Sequence, residues 1–238
     1  MKFGIVLPTY YRKDGKTLVF LYKAINYIMM QKHSDWKLFL IGDDYDYPDE
    51  LEFIKSLVPP DMITYKNIEV SDERSRYSGN DLWLCSGTNA LNQGIKLLEE
   101  ENIEYYAHFD YEDKWENNHL ELHNNIYMKY PEVSFVYSKA HYVRVNNLFP
   151  PNLVDDVINN LPPRGRHVIH SSVTFNINKI KHRYVNMIDN GENIASDANL
   201  WNRINKDITD GKINSYHIPK ATTYHLDEGY CANVDWTK

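Results

Sequence analysis

The feature that most constrains the fold is an alternation of short apolar runs with segments of helical periodicity through the first half of the chain. Residues 3–7 form an apolar run stopped by Pro8, and residues 18–30 carry apolar side chains at helical spacing. Further strands are predicted at residues 36–42, 62–70 and 105–109, and further helices at 49–57, 88–100 and 115–130. This alternation favours an α/β domain with a mostly parallel central sheet flanked by helices.

The second half of the chain is less regular and predicts a small antiparallel element beside the main sheet. Residues 134–137 and 141–145 suggest paired strands, and a further strand at 167–175 precedes a helix at 197–208. Two proline clusters make residues 149–166 a candidate for a mobile loop or lid. We therefore expect a single domain over residues 1–238, with halves at 1–115 and 116–238.

Three carboxylates stand close together where the predicted strand at 105–109 ends, namely Asp110, Glu112 and Asp113. Strand residues alternate faces, so Asp110 and Glu112 point the same way if the strand continues, and Asp113 turns in afterwards. Carboxylates packed this tightly repel one another unless a positive charge lies between them. A hard divalent cation such as Mg²⁺ or Mn²⁺, shared with substrate phosphates, fits this pattern, whereas a solvated acidic turn is the alternative.

Polar residues also follow the first two predicted strands. The first strand is followed by Pro8, Thr9, Tyr10, Tyr11 and Arg12, and the second by Asp43 and Asp44. Open α/β sheets bind ligands outside the carboxyl ends of their strands. We therefore expect these two groups and the acidic turn to form one site.

Composition and charge exclude several classes of protein. A net charge of -7 and a pI near 5.8 argue against nucleic acid as the main partner, because phosphate binding needs a basic surface. No uninterrupted apolar window is long enough for a membrane span. Cys85 and Cys231 lack metal-site spacing and are expected to be free thiols of a reducing compartment, which favours a cytoplasmic location.

Several segments, taken in order, carry a family resemblance. They are GIVLPTYYR at residues 4–12, QKHSDWKLFLIGDD at 31–44, NALNQGI at 89–95 and DYEDKW at 110–115. Together they resemble the inverting nucleotide-sugar glycosyltransferases of family 2, and the last resembles that family's D-x-D-D-x-W motif. The resemblance runs from Met1 to about Gly229. It implies the Rossmann-like GT-A fold, with residues 1–115 binding the nucleotide-sugar donor and residues 116–238 the acceptor.

The resemblance implies roles for the residues after the first two strands. Pro8, Thr9, Tyr11 and Arg12 would line the nucleotide pocket, although Tyr11 replaces the family's usual Asn. Either Asp43 or Asp44 would accept a hydrogen bond from the edge of a uracil-type base.

The resemblance also implies a metal site, occupied by Mn²⁺ or Mg²⁺. Asp110 would lie near the ribose, while Glu112 and Asp113 would hold the metal that bridges the donor diphosphate. Glu112 replaces a family Asp, and Asp113 is the expected direct ligand. His225 resembles a late family histidine that reaches the metal or diphosphate. A family arginine in the helix before Asp110 has no counterpart near residues 86–91.

A second family segment concerns the acceptor. Residues 192–201 resemble the segment that carries the catalytic base, and Asp197 takes the position of that base. Asp197 also opens a predicted helix, so an N-cap is the alternative interpretation, and the two roles are compatible.

The resemblance predicts metal-dependent transfer of a hexosyl or pentosyl group from a nucleotide diphosphate donor, with a UDP-sugar favoured, to a glycan or other hydroxyl acceptor with inversion. Two alternatives remain. A nucleotidyltransferase on a related α/β fold would have a glycine-rich phosphate loop where this chain has Pro8 and Thr9. A non-catalytic nucleotide-sugar-binding module would be expected to lose the acidic turn or Asp197, and both are present.

Overall fold

A computed structural model describes residues 1–69, 72–85, 87–143, 147–149, 163–165 and 167–226. The strands are β1 (Phe3–Thr9), β2 (Trp36–Asp43), β3 (Ile63–Ile68), β4 (Tyr105–His108), β5 (Lys114–Trp115), β6 (Val133–Tyr142), β7 (Asn147–Phe149), β8 (Val173–Asn176) and β9 (Asn214–His225). The helices are α1 (Thr17–Met29), α2 (Pro48–Ser56), α3 (Asp72–Arg76), α4 (Gly79–Cys85), α5 (Thr88–Glu100), α6 (His119–Lys129) and α7 (Ser196–Thr209).

All nine strands in these ranges belong to one sheet, in the order β3-β2-β1-β4-β8-β6-β9-β5, with β7 paired to β6. The first four strands are parallel, and β6 is parallel to β9. Antiparallel pairs join β8 to β4 and β6, β7 to β6, and β5 to β9. The predicted α/β class is therefore confirmed, but the prediction of a mostly parallel sheet is wrong. Local periodicity indicates a strand without fixing its neighbours, and β8 inserts between β4 and β6.

Helices pack on both faces of the sheet because alternate residues of its central strand point in opposite directions. Phe3, Ile5 and Leu7 of β1 pack in a core with α1, α2 and α6, whereas Val6 packs in a second core with α5 and α7. Helix α5 approaches β1 so closely that a Cβ on Gly94 would lie 2.4 Å from Val6 Cγ1. Because β1, β2 and β4 are parallel, their carboxyl ends lie at the same edge of the sheet.

Several predicted boundaries differ from the structure. Strand β1 continues through Pro8, which pairs in register with Ile41 of β2. The helix predicted from residue 115 begins only at His119, because Trp115 pairs with Thr223 in the sheet. The strand predicted at 134–137 and the start of the one predicted at 141–145 belong to one strand, β6, and residues 144–145 lie outside the described residues.

Other predicted elements also differ from the structure. The strand predicted from residue 167 begins at Val173, after a 3₁₀ turn at His170–Ser172. Helices α3 and α4 were not predicted, because their segment carries little helical periodicity. The predicted loop at 149–166 lies almost wholly outside the described residues.

No helix in the described ranges is long and apolar enough to cross a bilayer. Cys85 is a buried free thiol, as predicted. Cys231 lies outside the described residues.

Candidate active site

A cavity of about 920 Å³ opens where β1, β2 and β4 end. Of the eleven residues predicted for the site, eight line this cavity, namely Pro8, Thr9, Asp43, Asp110, Glu112, Asp113, Asp197 and His225. Tyr11, Arg12 and Asp44 do not. The structure therefore brings together residues that are widely separated in the sequence.

One end of the cavity combines a buried carboxylate with an arginine. Asp43, the last residue of β2, accepts a hydrogen bond at Oδ2 from Arg74 Nε at 3.1 Å. Asp43 Oδ1 and Thr9 Oγ1 are also buried, and neither has a hydrogen-bond partner among the described residues. The Arg74 guanidinium carbon lies 3.8 Å from the centroid of the Tyr10 ring, which is a cation–π contact. This end of the cavity thus offers polar atoms that a ligand would satisfy.

The two carboxylates after β2 occupy different environments. Asp44 adopts a φ of 52° and is exposed, while its backbone N–H donates to the Ile68 carbonyl. Asp43 alone faces the cavity. Tyr11 packs instead against Tyr47, with ring centroids 4.4 Å apart.

The acidic turn is partly neutralised by a buried arginine. Arg12 forms ion pairs with Glu112 and with Asp14, the latter at 2.7 Å, and its own side chain is 5% exposed. Burial raises the pKa of Glu112, and the Arg12 guanidinium partly opposes that rise. Arg12 therefore lies behind the cavity wall and holds Glu112 through one carboxylate oxygen.

The third carboxylate of the turn meets the end of β9. His225 Nδ1 lies 2.8 Å from Asp113 Oδ1, although the two residues are 112 positions apart. Asp113 Oδ2 is buried, with no hydrogen-bond partner in the part of the chain that is described. Burial raises the pKa of Asp113 despite the neighbouring imidazole. A buried carboxylate oxygen without a hydrogen-bond partner fits a hard divalent cation such as Mg²⁺ or Mn²⁺.

A second cluster, His108, Asp110 and His170, also has ligand atoms within 4.8 Å of one another. The two imidazole rings stack with centroids 3.3 Å apart and planes 7° apart. Ring-nitrogen lone pairs lie in the ring plane, so those of two parallel stacked rings cannot converge on one ion. In this arrangement, therefore, the two histidines do not ligate the same metal.

Hydrogen bonds fix that histidine stack. His108 Nε2 lies 2.8 Å from Asp110 Oδ1, and Tyr106 OH lies 3.0 Å from both His108 Nδ1 and Tyr184 OH. Tyr184 OH in turn lies 2.6 Å from His170 Nε2. Burial alone would raise the pKa of Asp110, but His108 outweighs it and holds that pKa below its usual value. The network keeps Asp110 ionised and fixed at the cavity wall.

Asp197 lies on another side of the same cavity, at the start of α7. The helix begins at Ser196 after the cap residue Ala195, so Asp197 is its second residue and not its N-cap. Its Oδ1 accepts a hydrogen bond from the Ala198 backbone N–H at 2.6 Å. Burial raises the pKa of Asp197, against the effect of that hydrogen bond, and the nearby Asp110 raises it further.

The cavity residues to which the sequence analysis gave no role include Tyr10, Arg74 and Trp83. Tyr10 was part of the polar run after β1 but was given no role. Arg74 stands after β3, earlier than the helix in which a family arginine was sought. Trp83 lies in α4, whose periodicity was too short to detect.

Comparison with known proteins assigns the chain to a class. No family model matches it. It is 33% identical over 241 residues to the uncharacterized glycosyltransferase R139 of Acanthamoeba polyphaga mimivirus, with 98% of this chain and 97% of the relative covered. The chain therefore belongs to this family of glycosyltransferases.

Solved structures share the fold. The UDP complex of residues 1–349 of S. aureus TarS matches with a TM-score of 0.66 and 11% identity, over 94% of this chain and 60% of that one. A mannosyltransferase from Pyrobaculum calidifontis, PcManGT, in complex with GDP-Man and Mn²⁺, matches with a TM-score of 0.62 and 12% identity, over 96% and 58%. The chain thus spans about three fifths of these two chains, and identities this low show the fold alone.

Proposed function

We propose that this glycosyltransferase has the GT-A fold and transfers a sugar from a UDP-sugar to an acceptor hydroxyl with inversion, using Mn²⁺ or Mg²⁺. The observation that carries the proposal is the shared cavity. Two carboxylates of this cavity, Asp43 and Asp113, each have one buried oxygen with no hydrogen-bond partner among the described residues. A third carboxylate, Asp197, has a raised pKa. These are the parts needed to hold a nucleobase, a diphosphate-bound metal and an acceptor proton.

The nucleobase is assigned to the end of the cavity formed by Asp43, Thr9 and Arg74. Asp43 Oδ2 accepts from Arg74 Nε, whereas Oδ1 has no hydrogen-bond partner among the described residues and would accept from a base N–H. The uracil edge presents one imide N–H, which Oδ1 alone satisfies. Guanine presents two adjacent N–H donors, and the second would have to share Oδ2 with the Arg74 guanidinium.

The metal is assigned to Asp113 and His225, with Asp110 beside them. Glu112, predicted as a ligand from the sequence, is bonded to Arg12 and is left out of this set. A bound divalent cation would act as a Lewis acid and neutralise charge on the departing diphosphate. Asp113 and His225 would hold and orient it, and the Asp110 carboxylate would add negative charge beside them.

Asp197 is assigned as the general base. Its raised pKa makes it a better proton acceptor than an ordinary aspartate. As the acceptor oxygen attacks the anomeric carbon, Asp197 takes the hydroxyl proton and the bond from that carbon to the diphosphate oxygen breaks. A single attack from the face opposite the leaving group inverts the anomeric configuration.

Of the alternatives, neither is favoured. The family assignment is to glycosyltransferases, and β1 ends in Pro8 and Thr9 without a glycine-rich loop. A non-catalytic module would not need a carboxylate with the environment of Asp197.

The test is to incubate the full chain and Mn²⁺ with UDP-sugars, dTDP-sugars or GDP-sugars in separate reactions. In each reaction the release of the nucleoside diphosphate is measured. We expect release from UDP-sugars to be fastest and to stop in excess EDTA. Release of nucleoside monophosphate and sugar phosphate would point to a different reaction class.

A further inference from the structure

Charged and uncharged side chains both line the cavity. Its acidic, basic and histidine lining residues are Asp43, Arg74, His108, Asp110, Glu112, Asp113, His170, Asp197 and His225. Three exposed amides and one exposed aromatic residue line it as well, namely Asn80, Asn193, Asn202 and Trp83. These four residues, called here the amide–tryptophan rim, have no part in the donor site proposed above.

Trp83 is the central residue of this rim. It is 52% exposed, whereas Leu82, Leu84 and Cys85 around it on α4 are buried. A tryptophan that lines a cavity and still shows half of its surface presents an apolar ring face to whatever enters.

The position of α4 places this ring on the acceptor side. Helix α4 packs against the turn Ile188–Asn190, which leads through Asn193 to Asp197. The Arg76 guanidinium ties α3 to the same turn through two bonds to Asp189, at 2.9 and 3.0 Å. Asn193 and Asn202 are close in sequence to the proposed base, Asp197, and α4, which carries Asn80 and Trp83, contacts the turn that precedes it.

Resting on the proposed function, we propose that the amide–tryptophan rim is the acceptor subsite and that its ligand is an uncharged saccharide. The apolar C–H face of a pyranose ring packs on the Trp83 indole, and the amide side chains donate to and accept from its hydroxyl groups.

The chemistry of the rim separates this ligand from the other acceptor classes. A lipid phosphate would call for lysine or arginine, and Arg74, which is paired with Asp43, is the only such residue among the described residues that line the cavity. Arg164 is exposed beside Gly165 but is not among the lining residues.

The experiment follows the tryptophan indole N–H signals of the ¹⁵N-labelled full chain, which contains five tryptophans, with Trp83→Phe used to assign one signal. The protein, saturated with UDP and the diamagnetic ion Mg²⁺, is titrated with methyl glycosides and β-linked disaccharides of glucose, galactose, mannose and N-acetylglucosamine. Dodecyl phosphate and a serine-rich peptide are titrated separately. We expect at least one saccharide to shift the Trp83 signal and to bind at least about tenfold more weakly to Trp83→Ala. The control is Phe53→Ala, which removes a 49% exposed ring outside the cavity and is expected to change nothing.

Each other outcome overturns the inference. If only dodecyl phosphate or the serine-rich peptide shifts the Trp83 signal, the ligand of the rim is of that class and not a saccharide. If nothing shifts the signal, the rim is not an acceptor subsite. Loss of UDP affinity in Trp83→Ala, with an unchanged melting temperature, would assign the ring to the donor. If wild-type protein does not bind UDP at all, the proposed function itself fails. The addition of UDP that precedes the saccharide titration detects this outcome separately.

Discussion

Asp113 and His225 meet across the cavity with Oδ1 and Nδ1 2.8 Å apart, which joins the turn after β4 to the end of β9. This contact brings together two halves of the sequence at one point, and it leaves Asp113 Oδ2 buried without a partner in the described residues. The pKa of Asp113 is raised, mainly by burial. A bound cation would relieve that unfavourable burial, so metal binding and the stability of this contact should be linked.

The first prediction concerns this metal site. Asp113→Asn and His225→Ala should each weaken Mn²⁺-dependent UDP binding by more than about tenfold, because each removes a ligand. Glu112→Gln is the matched control. Because Glu112 is bonded to Arg12, this variant is expected to lose much less affinity for UDP. Calorimetric titration with UDP, in Mn²⁺ and again in EDTA, gives the comparison. If Glu112→Gln removed the Mn²⁺ dependence and Asp113→Asn did not, the assigned ligands would be wrong.

The second prediction concerns the nucleobase. Asp43→Ala should weaken UDP binding by roughly 10- to 100-fold, the usual worth of a hydrogen bond to a charged group. Asp44→Ala, the neighbouring exposed carboxylate, should leave UDP binding unchanged. Wild-type protein should bind UDP more tightly than GDP. Equal affinities for UDP and GDP by calorimetry would contradict the proposal that Asp43 Oδ1 accepts a hydrogen bond from the imide N–H of uracil.

The sequence predicted the acidic turn, the carboxylates after β2 and Asp197 because each follows a recognisable strand or precedes a recognisable helix. It did not predict that Arg12 pairs with Glu112 or that Arg74 pairs with Asp43. Both contacts join residues distant in the chain, and no local pattern encodes which cation faces which carboxylate. The mixed sheet was missed for a similar reason, since pairing of β8 between β4 and β6 is a property of the whole fold.

The third prediction concerns stability at acid pH. His119 and His123 of α6 are buried, and burial lowers the pKa of both, that of His123 to about 3. An unfolded histidine titrates near 6.5, so below that pH the unfolded state binds more protons than the folded state. Stability should therefore be complete above pH 6.5 and should fall at lower pH by up to about 1.4 kcal/mol per pH unit for each histidine.

Urea unfolding at pH 7.5 and pH 5 measures this loss. His123→Asn keeps a polar atom near the position that bonds Thr174 Oγ1, and should show a smaller loss of stability between the two pH values. His167→Asn alters an exposed histidine and should show the wild-type loss. An unchanged pH dependence in His123→Asn would show that other groups cause the acid instability.

The fourth prediction concerns the proposed base. Asp197→Asn should lower turnover by roughly 10²- to 10⁴-fold, the usual worth of a positioned general base. Because the Asn side-chain oxygen can still accept from the Ala198 N–H, the melting temperature and UDP affinity should stay close to wild type. Asp207→Asn, further along α7 and outside the cavity, is the control. Near-wild-type turnover by Asp197→Asn would show that Asp197 is not the base and that its side chain acts only at the start of α7.

The most direct test of the whole account is the anomeric configuration of the first product. With Mg²⁺ and an α-linked UDP-sugar, water takes the place of the acceptor, and ¹H NMR recorded before mutarotation identifies the released sugar. The account predicts that the β-anomer appears first, together with UDP, and that Asp197→Asn slows its appearance. The α-anomer appearing first would contradict a single displacement assisted by Asp197.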